Sequence, residues 1–282
     1  MSTVAIGQKH SLGWRLPAYI VMLIFTVLTL GPLLWLLYSS LKPHQAIVRN
    51  IFALPTTFHI ENYVTAWERG SLGIYFINSI IYTTVATTLT TFFALSAGYA
   101  LAKFRYKISG LIYAFFIMGL LFPLTVAILP LYLQLRNFGL TGSRMGVVLA
   151  EAAFQLPLSI FIFSGFFRDV PWELQDAVNI DGGGIITFAV RVLVPISAPV
   201  VTTVTIITLI MSWNQFLLPL IVLSDQAMFT IPLGVMQFQG QFTTGWNYIM
   251  AFITLAIVPM LLLYIFLQRY IVAGLTAGAT KG

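Results

Sequence analysis

Residues 145–184 read MGVVLAEAAFQLPLSIFIFSGFFRDVPWELQDAVNIDGGG, an apolar run followed directly by a polar segment that begins at Arg168. An α-helix rises about 1.5 Å per residue, so about 20 apolar residues cross the roughly 30 Å hydrocarbon core of a membrane. The run 145–167 has that length and contains one charged residue, Glu151. We therefore predict a membrane-spanning helix that leads into a polar loop at one membrane surface.

The whole chain has a composition that favours a membrane environment. Hydrophobic residues make up 59% of its 282 residues and charged residues 8%, whereas soluble domains carry about 25% charged residues. This composition excludes a water-soluble globule, and we predict an all-α, polytopic membrane protein with six transmembrane helices. The six runs are residues 17–38, 74–102, 109–135, 145–167, 197–223 and 248–268. They divide the chain into an N-terminal segment, 1–16, a six-helix domain, 17–268, and a C-terminal tail, 269–282.

The distribution of positive charge predicts the orientation of these spans. With the N-terminus inside, nine of the 14 Lys and Arg residues fall in cytoplasmic segments and five fall outside. Lys103, Arg105 and Lys107 share a very short loop, where the positive-inside rule is most reliable. We therefore expect both termini, and the loop 168–196 between the fourth and fifth spans, to be cytoplasmic.

Several classes of chemistry are absent from the sequence. The chain has no cysteine and three histidines, which excludes disulfides, thiolate metal sites and cysteine nucleophiles. The predicted spans contain no paired acids or metal-binding cluster, so an intramembrane enzyme is not expected. No Walker A motif occurs, because the glycines 182–184 have no lysine after them to reach a phosphate. The net charge of +6 reflects topology rather than nucleic-acid binding.

Prolines recur inside four of the predicted spans. A proline removes a backbone N–H and clashes with the preceding turn, so it kinks a helix. The kinks are consistent either with ordinary packing irregularity or with a cavity and a gating hinge. The prolines concerned are Pro123, Pro130, Pro157, Pro219 and Pro259.

The polar loop has the pattern of a helix rather than of a simple connector. Pro171 suits a first helical position, Glu173 suits the positive end of a helix dipole, and Gly182 can supply a left-handed stop. We predict a helix over 171–181 and a second helical stretch over 185–194 that ends at Pro195. On the first helix one apolar stripe is expected, formed by Val170, Leu174, Ala177 and Val178.

Two interpretations of this apolar stripe are open. The loop could lie on lipid headgroups or cover the inner ends of the chain's own helices. Alternatively, the helix could dock into a groove of another protein. The acidic residues near it, Glu173, Asp176 and Asp181, are unfavourable on an anionic membrane surface, which prefers Lys and Arg.

The loop also resembles that of a known family. The segments 176–178, 181–182 and 193–195 resemble the Glu-Ala-Ala…Gly…Leu-Pro cytoplasmic loop of permease subunits of ABC importers, with Asp176 in place of Glu and Val178 in place of the second Ala. Other segments are similar to the MalG-like subunits of carbohydrate importers. They are 78–79 with 98–105, 128–132, 212–220 and the tail 268–282, so the resemblance covers nearly the whole chain from Pro17.

The resemblance implies a set of partners and a location. We expect a bacterial or archaeal cytoplasmic membrane, a second MalF-like permease, two ATPase subunits and an extracytoplasmic solute-binding protein, with a sugar as substrate. ATP and Mg²⁺ would be bound by the ATPase subunits, so no cofactor is expected in this chain, and it catalyses no covalent step. The tail 276–282 would reach toward the ATPase. The residues implied in ATPase coupling are Leu174, Asp176, Ala177, Val178, Asp181 and Gly182.

Polar residues inside the spans are candidates for the substrate path. Glu151 and Gln155 lie in the fourth span; an ionised carboxylate at the membrane centre costs about 2.5–3.5 kcal/mol, so Glu151 should face a watery cavity, be protonated or lie near the outer surface. Residues 213–215, Trp213, Asn214 and Gln215, combine amides with an aromatic plate, as sugar sites do. The alternative is that these amides join neighbouring helices.

Two other functions fit a polytopic helical protein. An ion-coupled secondary transporter needs buried ionisable groups, and Glu151 is the single acid within the predicted spans. A non-transporting membrane scaffold would account for the helices but leaves the polar residues 213–215 without a role. We therefore expect an ATP-driven permease subunit that works by alternating access.

Overall fold

The computed structural model describes residues 12–104, 106–241 and 245–279. Every regular element in these ranges is helical, which confirms the all-α prediction. In chain order the elements are α1 (Leu12–Ser40), α2 (His44–Arg49), α3 (Glu61–Arg69), α4 (Leu72–Lys103), α5 (Ser109–Gly119), α6 (Leu124–Asn137), α7 (Arg144–Asp169), α8 (Glu173–Ile180), α9 (Ile185–Phe188), a π-helical turn (Ala189–Leu193), α10 (Val194–Ile196), α11 (Ala198–Trp213), α12 (Leu217–Val222), a 3₁₀ turn (Gln226–Met228), α13 (Ile231–Gln241) and α14 (Trp246–Ala279).

Four of these helices are long and apolar enough to cross a membrane. They coincide with the first, second, fourth and sixth predicted spans and cover Leu16–Ser40, Leu72–Lys103, Arg144–Asp169 and Trp246–Phe266. Two further pairs of helices meet the same test together but are bent by more than 40°. The described chain therefore has four candidate spans, or six if each bent pair counts as one.

The third predicted span is not one continuous helix. Helices α5 and α6 meet at an angle of 107° across the break between Gly119 and Leu124. Pro123 lies in this break in an extended conformation, with φ −68° and ψ 138°. Proline lacks the N–H that would continue the helix, and it disfavours a helical conformation in the residue before it. A kink was predicted at Pro123, but the structure has a full interruption there.

The fifth predicted span is also interrupted. Helix α11 ends at Trp213, residues 214–216 are not helical, and α12 begins at Leu217. Pro219 cannot donate to the carbonyl of Gln215 and its ring would crowd that carbonyl, which explains why the break precedes the proline by one turn. A kink was predicted at Pro219, but the structure has a full break before it. Helix α11 pairs instead with residues 185–196 at a bend of 73°.

The described part of the chain divides into two compact units. The first comprises the residues up to Gly70 together with Phe238–Leu255. The Asn62 side chain organises it by donating to the backbone oxygens of Ser40 (2.8 Å) and Lys42 (3.0 Å) and accepting from Asn247 Nδ2 (2.6 Å). In the same unit, the α1 side chains from Leu16 to Leu30 are exposed, as expected of a helix that faces lipid or a partner.

The second unit comprises the described residues of Ser71–Gln237 and those from Ala256 onward. Its centre is the pair α4 and α7. The two helices run parallel, since Asn78 contacts Arg144, Gly98 lies against Phe163, and Tyr99 contacts Phe167. A Cβ atom on Gly98 of α4 would lie 2.6 Å from Phe163 Cβ of α7, so the two backbones approach closely there. Buried apolar residues surround this contact and include Ala94, Tyr99, Ile160, Phe163, Phe167, Val170, Phe188, Leu193 and Val204.

The segment after α12 was not predicted to be helical. Asn78 of α4 donates to the backbone oxygens of Ala227 (2.8 Å) and Phe229 (3.0 Å), which holds the 3₁₀ turn on α4. Ser79 then accepts from the backbone N–H of Ile231 at 2.9 Å, at the start of α13. These contacts join residues about 150 positions apart along the chain, so no local pattern could indicate them.

Candidate functional site

The polar loop contains the predicted helix, α8, with slightly shorter bounds. It covers Glu173–Ile180 rather than 171–181; Trp172 is the N-cap, so Pro171 precedes the helix instead of occupying its first position. At the other end Gly182 has φ +77°, which confirms the left-handed stop. The backbone N–H of Gly182 donates to the backbone oxygen of Asn179 (3.1 Å), and the N–H of Gly183 donates to the backbone oxygen of Val178 (2.8 Å). These are the two hydrogen bonds of a Schellman motif.

The apolar stripe predicted on α8 is divided between two faces. Val170 is buried, and Val178 packs against the core of the second unit. Leu174 and Ala177 are exposed, and Ile180, which the sequence analysis did not select, is 86% exposed. One face of the loop therefore covers the chain's own helices while another presents apolar side chains outward.

Acidic residues border the outward face of α8. Glu173, Asp176 and Asp181 are all exposed. The following helical stretch adds Ile186, which is 76% exposed. An exposed apolar surface rimmed by charged side chains is typical of an interaction site.

The second half of the loop is helical but irregular. The predicted helix over 185–194 consists of α9, a π-helical turn and α10, and it continues through Pro195 to Ile196. In the π turn the N–H of Val194 donates to the carbonyl of Ala189, one residue further back than in an α-helix. Such a turn rearranges the carbonyls next to Pro195, which has no N–H of its own. Phe188 and Leu193 are buried, so this half anchors the loop to the bundle.

Glu151 and Gln155 are buried on the inner side of α7, each less than 5% exposed. The Ser212 hydroxyl of α11 donates to the Glu151 carboxyl, so this acid links two helices. Gln155 Oε1 has no hydrogen-bond partner within the described residues. An unpaired buried amide oxygen costs free energy, which makes this position suited to a water molecule or a substrate hydroxyl.

The three residues 213–215 do not form one continuous polar surface. Trp213 is buried and contacts Phe76 edge to face, with ring centroids 6.1 Å apart. Asn214 is exposed and donates to the Ile210 carbonyl (2.8 Å), while Gln215 Oε1 accepts from the N–H of Leu217 (3.1 Å). The amides thus satisfy backbone groups on both sides of the break between α11 and α12.

The bend between α5 and α6 borders a cavity of about 500 Å³ next to α7. Its lining is almost entirely apolar and therefore offers few hydrogen-bond partners to a sugar hydroxyl. Its lining residues are Phe115, Phe116, Met118, Gly119, Phe122, Ala153 and Pro157.

Sequence reasoning missed several residues that the fold brings to these sites. Ser212 lies in the predicted fifth span but was not linked to Glu151, because the two are 61 residues apart. Tyr99 and Lys103 lie at the end of α4 and contact the polar loop. Their presence next to a short loop was visible in the sequence, but no local pattern indicates such distant contacts.

A sequence profile of the family described as "Binding-protein-dependent transport system inner membrane component" matches residues 91–277, which is more than half of the chain. The chain belongs to this family. The match includes α8 and the buried acid on α7, and it confirms the resemblance drawn from the loop and span motifs.

Relatives of the permease match over nearly its full length. The diacetylchitobiose uptake system permease protein NgcG of Streptomyces coelicolor is 34% identical over 94% of this chain and 88% of its own. The sulfoquinovosyl glycerol transport system permease protein SmoH of Agrobacterium fabrum is 33% identical over 100% of both chains. A chain of a bacterial ABC transporter involved in the import of the polysaccharide alginate has the same fold, with a TM-score of 0.78 at 21% identity, covering 91% of this chain and 96% of that one.

Family membership establishes the type of protein. The permease is a multi-pass membrane component of an ABC importer, a transport subunit rather than an enzyme. As the family description states, transport by such a component depends on a binding protein. Since ABC transporters are driven by ATPase subunits, these are partners as well.

Proposed function

We propose that this permease imports a carbohydrate by alternating access, and that α8 transmits the motion of an ATPase subunit to the membrane helices. One observation carries the proposal: α8 is held to its own bundle on one face and presents exposed apolar side chains, rimmed by acids, on another. A helix that merely connected two spans would need neither face. A helix that transmits force needs both.

The docking face of α8 consists of Leu174, Ala177 and Ile180. These residues are spaced at three-residue intervals and are all exposed. An amphipathic helix binds a groove through side chains at such spacing, and Asp176 and Asp181 would add charge complementarity at the rim. Val178 and Gly182 would contribute indirectly: Val178 packs inward on the core, and Gly182 ends the helix at the required point.

The orientation and the remaining partners follow from the same proposal. If the chain crosses the membrane six times, both termini lie on the same side, and the distribution of positive charge favours the cytoplasm as that side. Docking of α8 on the ATPase then requires the loop to be cytoplasmic as well. The exposed apolar side chains of α1 would face lipid or a second, MalF-like permease.

The substrate path is proposed to run past Glu151, Gln155 and residues 213–215. Gln155 supports this because its buried oxygen is unpartnered, and Asn214 because its side chain is exposed at a helix break. Glu151 and Trp213 would support the path without contacting the sugar themselves. The Glu151 carboxyl fixes Ser212, and the Trp213 indole packs on Phe76. Non-helical backbone at membrane depth is tolerated where it lines a cavity, as the break at 214–216 would do.

The proposal of a carbohydrate substrate rests on relatives. The names of two relatives specify diacetylchitobiose and sulfoquinovosyl glycerol, and the solved importer is involved in the import of the acidic polysaccharide alginate. These molecules share hydroxyl-rich rings but differ in size and charge. The class is therefore better supported than any particular sugar.

Transport by the reconstituted complex tests this function. The permease, its partner permease and the ATPase would be purified together and placed in proteoliposomes with the binding protein and a radiolabelled sugar to which that protein binds. We expect uptake that requires ATP and proceeds without an ion gradient. Binding assays on the binding protein would first select the sugar.

Two results would contradict the proposal. Uptake driven by a proton or sodium gradient without ATP would indicate a secondary transporter, in which Glu151 would be the obvious ion-linked group. ATP hydrolysis without movement of any sugar that the binding protein recognises would indicate a scaffold or a carrier of a different class of solute.

A further inference from the structure

Two buried polar residues at the inner end of α4 contact the polar loop. Lys103 is 4% exposed; its ammonium donates to the backbone oxygen of Val170 and lies 4.7 Å from the ring centroid of Trp172. Tyr99 is 8% exposed and donates its hydroxyl proton to Gln175 Oε1 at 3.2 Å. Each residue therefore joins α4 to the segment that contains α8.

The contacts of Lys103 are stronger than an ordinary surface interaction. Val170 is the C-cap of α7, so the ammonium lies at the negative end of that helix dipole. Asp169 and Glu173 also interact electrostatically with it. A buried ammonium is costly unless it is paired, so these partners hold Lys103 in one position, between α4, the end of α7 and the start of α8.

Tyr99 adds a second connection from the same helix. Its ring contacts Phe167 of α7 at a centroid distance of 5.7 Å and Phe188 of α9 at 6.2 Å. Its hydroxyl holds Gln175 near the middle of α8. The two residues are one helical turn apart on α4, so together they fix both the position and the rotation of α8.

We propose that Lys103 and Tyr99 are positioning residues that fasten α8 to α4 and so determine how much of the ATPase's motion reaches the α4–α7 pair. The inference rests on the proposed function of α8 as the docking helix. Without these contacts α8 still binds its partner through Leu174, Ala177 and Ile180, but it moves independently of the bundle. Hydrolysis then continues while transport falls.

The test compares variants that remove one contact each. Lys103→Met keeps the apolar stem but removes the ammonium, Lys103→Arg keeps the charge, and Tyr99→Phe removes only the hydroxyl. Lys107→Met is the matched control, because Lys107 lies four residues further along the chain, beyond the end of α4, and is exposed. Uptake of the sugar and hydrolysis of ATP are measured in the same proteoliposomes and expressed as sugar molecules imported per ATP.

A loss of coupling is the expected result. Lys103→Met should lower the number of sugars per ATP about tenfold, and Tyr99→Phe by less, because hydrogen bonds to charged groups are the stronger ones. Lys103→Arg and Lys107→Met should stay near the wild-type ratio. A merely stabilising role would lower the amount of assembled complex without changing this ratio.

A distance measurement covers the case in which Lys103→Met fails to assemble with the ATPase. The chain contains no cysteine, so spin labels can be placed on cysteines introduced at Phe93, an exposed residue of α4, and at Ala177 of α8. We expect one narrow distance distribution in the wild type and in Lys103→Arg, and a broad one in Lys103→Met.

An unchanged sugar-to-ATP ratio in Lys103→Met, or a distance distribution as narrow as that of the wild type, would overturn the inference. If the wild-type complex itself moves no sugar with ATP, the proposed function fails instead. The spin-label distances then still decide whether Lys103 fastens α8.

Discussion

At the scale of single residues, Gly182 has the most specific conformational role. Its φ of +77° lies in the left-handed region, and no atom outside its immediate neighbours lies within 4 Å of the position that a Cβ would take. Substitution is therefore limited by backbone strain rather than by space. This conformation costs a non-glycine residue about 1–2 kcal/mol, and it costs a β-branched residue more.

Gly182→Val should consequently reduce ATP-driven uptake by at least about five- to thirty-fold, since 1–2 kcal/mol is the lower bound of its cost. Gly184→Val is the matched control, because Gly184 has φ −98° and also has open space at its Cβ position. Uptake by both variants would be measured in the same vesicles. Equal uptake by the two would contradict the role of the left-handed stop.

The link between Ser212 and Glu151 gives a second prediction at this scale. Ser212→Ala leaves the buried carboxyl without the hydroxyl that donates to it, which should destabilise the protein by about 1–3 kcal/mol. Ser96→Ala should have a much smaller effect, since Ser96 is exposed and donates to the Phe92 carbonyl of its own helix. Thermal unfolding in detergent compares the two, and equal midpoints would show that the link has no energetic role.

Lys42 gives a prediction about pH. It is 1% exposed and donates to the Ile51 carbonyl at 3.1 Å, and burial lowers the pKa of its ammonium from the usual 10.5. Between the lowered pKa and 10.5, the unfolded chain holds a proton that the folded chain lacks, so folding becomes more favourable as pH rises through this window. The stability of the wild type relative to Lys42→Met should therefore increase toward pH 10.5. A constant or falling difference in thermal midpoint would contradict this.

At the scale of helices, the close contact of α4 and α7 depends on Gly98. A Cβ there would meet Phe163 at 2.6 Å and the backbone nitrogen of Ser164 at 3.1 Å, so Gly98→Ala should cost about 1–3 kcal/mol through overpacking. Gly165 of α7 has open space at its Cβ position, and Gly165→Ala should stabilise the helix by about 0.5–1 kcal/mol. The midpoint of thermal unfolding should therefore fall in Gly98→Ala and rise in Gly165→Ala. Shifts of the same sign would contradict the packing of this pair.

The helices also show which elements local sequence can predict. Helix α8 was predicted because proline, an early acid and a terminal glycine are local signals. The four uninterrupted spans were predicted because hydrophobic length is also a local signal. The breaks at 120–123 and 214–216 were underestimated, since a proline indicates a kink but not its angle, which depends on neighbouring helices. The contacts of Lys103 with Val170 and of Ser212 with Glu151 join residues more than 60 positions apart, and they arise from tertiary packing.

At the scale of the whole molecule, we propose that the chain supplies a membrane pathway and a docking helix, α8, while its partners supply the sugar and the energy. The parallel α4–α7 pair carries Glu151 and Gln155 along α7, and Tyr99 and Lys103, which we propose fasten α8, at the C-terminal end of α4. A movement of α8 would therefore be passed to the helices that line the proposed substrate path. Because the same pair of helices contacts α8 and carries residues of the proposed path, we propose that alternating access involves movement of this pair.

Site-specific crosslinking from α8 tests the central claim most directly. Because the chain has no cysteine, single cysteines can replace Ala177 or Ile180 on the outward face, with Val178→Cys on the inward face as the control. In native membranes, a thiol-attached photo-crosslinker at the first two positions should capture the ATPase subunit, and the control should capture this chain alone. Capture of only lipid or of the permease itself from positions 177 and 180 would contradict the claim that α8 is the point at which ATP hydrolysis drives transport.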